Sequence, residues 1–196
     1  MMQHASVQSW VRWWCDAWQG AHGSWRSGFA EHAGLALSVC EQVAQRQPET
    51  FMRFAGMMAP QPPAPDTNTL QWLALQPSQR QLALAMVEHI CTPGRAGLDP
   101  IDGHAPWCRS LAKALRPGLW LQSREPGAQL GVCLLEHWIG PHCWARLRLC
   151  WPVRPTQAWD ITLSASASGK LHTLWSAVLW RVIASTPDIP EVSNAG

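Results

Sequence analysis

Residues 106–121 read PWCRSLAKALRPGLWL, and residues 129–152 read QLGVCLLEHWIGPHCWARLRLCWP. Helical spacing, hard stops and alternation follow one another here, so this stretch decides the fold class. Pro106 opens a helix where a missing N–H costs nothing. Trp107, Leu111, Ala114 and Leu115 face inward, and Arg116-Pro117-Gly118 ends the run. A second helix begins at Pro126, carries Leu130, Leu134 and Trp138 on one face, and closes at Gly140-Pro141. From Ala145 the period changes. Leu147, Leu149 and Trp151 alternate with Arg146, Arg148 and Cys150, the period of a half-buried strand. Residues 159–163 alternate in the same way, which predicts a small β-hairpin between Arg146 and Leu163 turning over Pro152–Gln157.

Working outward, helices dominate. Val7, Trp10, Val11, Trp14 and Trp18 recur at helical spacing, widened by Trp13, until Gly20 and Gly23. Ser24 can cap a second helix lined by Phe29, Ala33, Ala36, Leu37, Cys40, Val43 and Ala44. Pro48 opens a third, lined by Phe51, Phe54, Ala55 and Met58. Leu70, Trp72, Leu73 and Leu75 form a short apolar turn. Ser78 to Gln81 has capping-box form and precedes Leu82, Ala85, Met86, His89 and Ile90 on one face, stopped at Thr92-Pro93-Gly94. Residues 168–184 form a last helix with Leu171, Leu174, Trp175, Val178, Leu179 and Val182 on its apolar side. The expected class is therefore mainly α: a compact helical domain of about seven helices with a small C-terminal β-hairpin.

Residues 59–68 read APQPPAPDTN, and four prolines there make a linker or a long surface loop. The predicted organisation is an N-terminal helical subdomain at 1–58, the proline-rich segment at 59–68, a C-terminal helical domain with the hairpin at 69–185, and a tail at 186–196.

Composition narrows the function classes. The 196 residues are 47% hydrophobic and 14% charged, enough apolar material for a core and too much for disorder throughout. A net charge of +2 with no extended basic patch lacks the footprint of a nucleic-acid binder. Seven cysteines without a CxxC pair, behind an N-terminus with no signal-peptide pattern, predict reduced thiols in a cytoplasmic protein. No apolar run reaches membrane-spanning length. Tryptophan is the outlier, with 14 residues against 3 Phe and no Tyr.

Candidate chemistry is sparse. Cys133 and His137 lie four apart on a predicted helix, and His142 and Cys143 follow just past its end. Two thiolates and two imidazoles suit tetrahedral zinc. Against this, adjacent His142 and Cys143 point in different directions in most backbones, and Cys133 borders the Leu130/Leu134/Trp138 stripe, where a buried cysteine acts as a small hydrophobe. His104 with Cys108, and His89 with Cys91, could form nucleophile pairs, but no activating signature surrounds them. Asp99 and Asp102 sit among Gly and Pro, where Asp builds turns. No phosphate loop, GxSxG, HExxH or EF-hand pattern occurs. No cofactor is expected.

Three segments carry a resemblance. Trp107 to Pro117 is a short helix ending at Arg-Pro, Leu134 to Gly140 a helix closing at Gly, and Trp144 to Leu149 leads to Trp151-Pro152. In order and spacing, residues 70–155 resemble the K component of the type III secretion sorting platform, the SctK family. The first sixty residues carry no part of that resemblance. The resemblance implies a non-enzymatic adaptor at the cytoplasmic face of a bacterial inner membrane. Its partners would be the Q component and the cytoplasmic domain of the inner-membrane ring protein. The family has no catalytic residues to carry over. Arg146 and Arg148, expected on the wet side of the strand, are the candidate partner contacts, since guanidinium forks suit carboxylates. The alternative is a small metal- or ligand-binding helical protein using Cys133, His137, His142 and Cys143.

Overall fold

A computed structural model describes residues 2–57, 61–95, 98, 100–101, 103–123, 129–153 and 161–185. Among the described residues the chain is mainly helical, with ten α-helices and a two-stranded antiparallel sheet. Three local departures take the count past the expected seven. The helix read across residues 24–44 is two, α2 (Gly23–Ala33) and α3 (Leu37–Arg46), because Gly34 closes α2 in the left-handed region at φ 64°. The apolar turn near Leu70 is a helix, α5 (Thr67–Leu73), whose start is capped by Asp66: one carboxylate oxygen accepts from both Thr69 N and Thr69 Oγ1 at 2.7 Å. Residues 141–147, expected to lead into a strand, form α9 (Pro141–Leu147).

The chain divides into two compact units that interleave in sequence. One comprises Met1–Leu70 and Ile139–Ala158, the other Gln71–Trp138 and Trp159–Gly196. Residues 139–158, which the sequence reading assigns to the C-terminal domain, thus belong to the first unit, as does the proline-rich segment 59–68. Met58, Asp99, Asp102, Pro126 and the tail 186–196 lie outside the described residues.

The first unit contains α1 (Met2–Cys15), α2, α3, α4 (Pro48–Phe54), the start of α5, α9 and a 3-10 turn at Arg148–Cys150. Pro48 stands at N1 of α4, as its missing N–H favours. The core gathers Trp18, Trp25, Phe29, Cys40, Phe51, Met52 and Leu149. Its aromatic rings meet edge to face, with Trp18 and Phe51 centroids 4.9 Å apart at 86°. Trp18 is buried but lies in the turn after α1, while Val7 and Val11 of the expected stripe are exposed.

The Arg/Leu strand and its hairpin do not form. Pro141 at N1 presets a helix. The chain then tightens into the 3-10 turn and ties itself to the start of α2 by single bonds. His22 N donates to Leu149 O at 2.7 Å, Trp25 Nε1 to Trp151 O at 2.9 Å, and Val153 N to Ser24 Oγ at 3.0 Å.

The second unit contains α6 (Pro77–Cys91), α7 (Ala105–Leu115), β1 (Leu121–Ser123), α8 (Leu130–Ile139, up to Trp138), β2 (Ile161–Leu163) and α10 (Ala167–Ala184). β2 is a strand, as expected for its residues, but it pairs antiparallel with β1, Leu121 opposite Leu163. The capping of α6 falls two residues earlier than expected: Pro77 takes N1, and Gln79 Oε1 accepts from Gln76 N at 2.8 Å. The buried face of α6 is accordingly Ala83, Met86, Val87, Ile90 and Cys91. α6 packs on α7 and α10. It also crosses α8 closely, where a Cβ on Gly131 would meet Leu84 O at 2.9 Å. All six residues expected on the apolar side of α10 are buried. Trp175 of that face stacks on Trp138 at 5.5 Å and donates its N–H to Leu134 O at 3.3 Å.

Candidate functional site

Arg146 and Arg148 are the residues through which the sequence reading expects carboxylate recognition at an exposed surface. Arg146 is instead buried, with 5% of its surface exposed, and Arg148 is half-buried. The cause is the indole content of the unit around them. The Arg146 guanidinium carbon sits 3.5 Å from the centroid of Trp14, and its Nε donates to the Trp14 carbonyl at 2.9 Å. Trp14 lies in the last turn of α1, where carbonyls have no partner within the helix and the dipole is negative. Arg148 repeats the arrangement: Nη2 donates to the carbonyl of Ala55, the cap residue of α4, and its guanidinium lies 5.0 Å from the Trp25 centroid. In the second unit Arg80 donates to the Trp72 and Leu73 carbonyls at the end of α5, at 3.3 and 2.8 Å. These arginines close helix ends. A desolvated cation on an indole face contributes ~2 kcal/mol, and a charged hydrogen bond ~1.5–3 kcal/mol.

The closure at Arg146 is incomplete. Its Nη2 is buried with no hydrogen-bond partner, and among the described residues no carboxylate pairs with it. Burial pushes its pKa down, and only the nearby thiols of Cys15 and Cys143 act the other way. Alternating charge in a short segment usually marks a wet face, so periodicity pointed to exposure. The available signal was compositional, in that only two of 15 basic residues are lysine, beside 14 tryptophans whose faces accept guanidinium stems.

The four candidate metal ligands are placed as follows. Cys133 is buried in α8. His137 is exposed one turn on, and its Nδ1–H donates to the Cys133 carbonyl at 2.9 Å, so the ring addresses the backbone. His142 is exposed in the first turn of α9. Cys143 is buried beside Thr69 and Asp66, and desolvation outweighs the Thr69 hydrogen bond in raising its pKa. Among the described residues no three His, Cys, Asp or Glu side chains converge on a point where an ion could sit.

Burial disfavours a thiolate in the other cysteine–histidine pairs. Burial, reinforced by the Glu88 carboxylate, pushes the Cys91 thiol up to about 12. Burial pushes Cys108 up to about 11 against the opposing pull of Arg181 and Arg109. A nucleophilic cysteine needs the opposite shift.

Compared with protein-family models, with curated proteins and with solved structures, the chain matches none. No helix among the described residues is long and apolar enough to cross a membrane.

Proposed function

We propose that the protein is a non-enzymatic adaptor of a type III secretion sorting platform, joining the cytoplasmic domain of the inner-membrane ring to the Q component at the cytoplasmic face of the inner membrane. The observation that carries this reading is the ordered series Trp107 to Pro117, Leu134 to Gly140 and Trp144 to Pro152, which resembles the K component. The geometry of its breaks supports the reading. Arg116 and Gly140 both take positive φ, 51° and 82°, so the series consists of separate helical segments. The third segment, expected to lead into a strand, forms a helix and a 3-10 turn.

An adaptor needs contact surface, and Trp180 supplies it. Its side chain is 67% exposed on α10, one turn from exposed Ile183, on the side away from the buried face. Exposed indoles at rigid helix positions are typical binding hot spots. Trp180 and Ile183 therefore replace Arg146 and Arg148 as candidate partner contacts.

The test is co-purification of the folded chain with each partner separately. Retention of either, weakened by Trp180→Ala at unchanged helicity, is the expected result. Retention of neither partner by the folded chain would remove the proposal.

A further inference from the structure

We propose that the cavity beside the C-terminal end of α1 is a binding site for a single carboxylate group. This cavity lies within the first unit, measures about 270 Å³, and is lined by Arg12, Trp13, Asp16, Gln19, Arg146 and Cys150, among others. Ligand pockets run ~300–1,000 Å³, so this one suits a small acid or one acidic side chain and excludes a nucleotide.

Two independent observations select an anion. Arg146 lines the cavity, is nineteen-twentieths buried as a residue, and has one buried donor, Nη2, without a hydrogen-bond partner. Water could satisfy that donor but not the charge. A buried cation without a carboxylate is costly to hold. The second observation is Arg12, one turn before the end of α1, exposed and on the same cavity wall. Asp16 also lines the cavity and forms no ion pair with either arginine. Two guanidinium groups against one carboxylate leave one positive charge to be matched.

That balance sets the ligand class. A monocarboxylate carries one negative charge and fits a guanidinium fork edge-on. A phosphate carries roughly −1.5 to −2 at neutral pH and would meet Asp16 as a like charge. Trp13 and Ala17 give the wall an apolar part for the carbon stem. The carboxylate can belong to a free small acid or to an acidic side chain of a bound protein. The site stands whether or not the chain is an adaptor.

The test is calorimetric titration of the full chain, at constant ionic strength, with propionate, with a blocked glutamate-containing peptide, and with inorganic phosphate. Saturable binding of propionate or of the peptide is expected, with phosphate weaker than both. Arg12→Gln, at an exposed position that leaves the core intact, should weaken carboxylate binding about tenfold. Arg146→Lys, which keeps the charge and loses the fork, should do the same. Peptide binding much tighter than propionate assigns the carboxylate to a partner's side chain, and equal binding assigns it to a free acid. No saturable heat from either carboxylate with folded protein, unchanged affinity in Arg12→Gln, or tighter binding of phosphate would each overturn the assignment.

Discussion

Arg148 shows how far this chain relies on pairs of arginine and tryptophan. It caps α4 through the Ala55 carbonyl and lies over Trp25, two contacts on groups far away in sequence. Arg148→Ala should therefore destabilise the protein by about 1–3 kcal/mol, read as a lower urea midpoint, where a solvated arginine would change little. The cysteines also divide by environment: none of the seven forms a disulfide, Cys15 and Cys150 are exposed, and five are buried. A chromogenic disulfide reagent should label two thiols quickly and the other five only at the rate of unfolding. The raised thiols give stability a pH dependence of definite sign. Above an ordinary pKa of 9.0 the unfolded chain releases the Cys91 proton, while the folded chain holds it up to about 12. The folded state then binds more protons than the unfolded one. Stability is full below that ordinary value and falls as pH rises towards 12. Denaturation midpoints at about pH 8 and about pH 10.5 should fall in that order, with a shallower fall in Cys91→Ala.

Elements were legible in the sequence where one face is apolar and the other is not. α10 is the clear case, since each of its six expected inward residues is buried. The stops at Arg116 and Gly140 were legible too, because Pro and Gly act locally. Pairings were not. β2 was recognisable as a strand, yet its partner is Leu121–Ser123, a three-residue segment too short to show a period. Residues 145–151 form no strand: alternation of Arg with Leu mimics one, and the local helical start at Pro141 prevails. The first helix was read too long because Trp18 is apolar and buried without being helical. The close approach of Gly131 to α6 leaves no trace in a single sequence. Gly131→Ala places a methyl group 2.9 Å from the Leu84 carbonyl, which belongs to backbone and cannot turn aside. The helices must separate, at a cost of about 1–3 kcal/mol, measurable by thermal melting. The same change at Gly169, with nothing within 4 Å, should be close to neutral.

At the scale of the whole molecule, the chain leaves its second unit after Trp138, contributes residues 139–158 to the first, and returns. No local composition announces that exchange, whereas the first boundary, between Leu70 and Gln71, falls just past the proline-rich segment. The exchange also bears on the candidate site. The Cys/His cluster spans the exchange, with Cys133 and His137 in one unit and His142 and Cys143 in the other. Among the described residues Trp180, on α10, is the largest exposed apolar side chain. The most direct measurement is binding of the purified, folded chain to the purified Q component in solution, followed by sedimentation. The account predicts a co-sedimenting complex that Trp180→Ala weakens. Independent sedimentation of the two folded proteins, with no complex formed on addition of the ring domain, would contradict it.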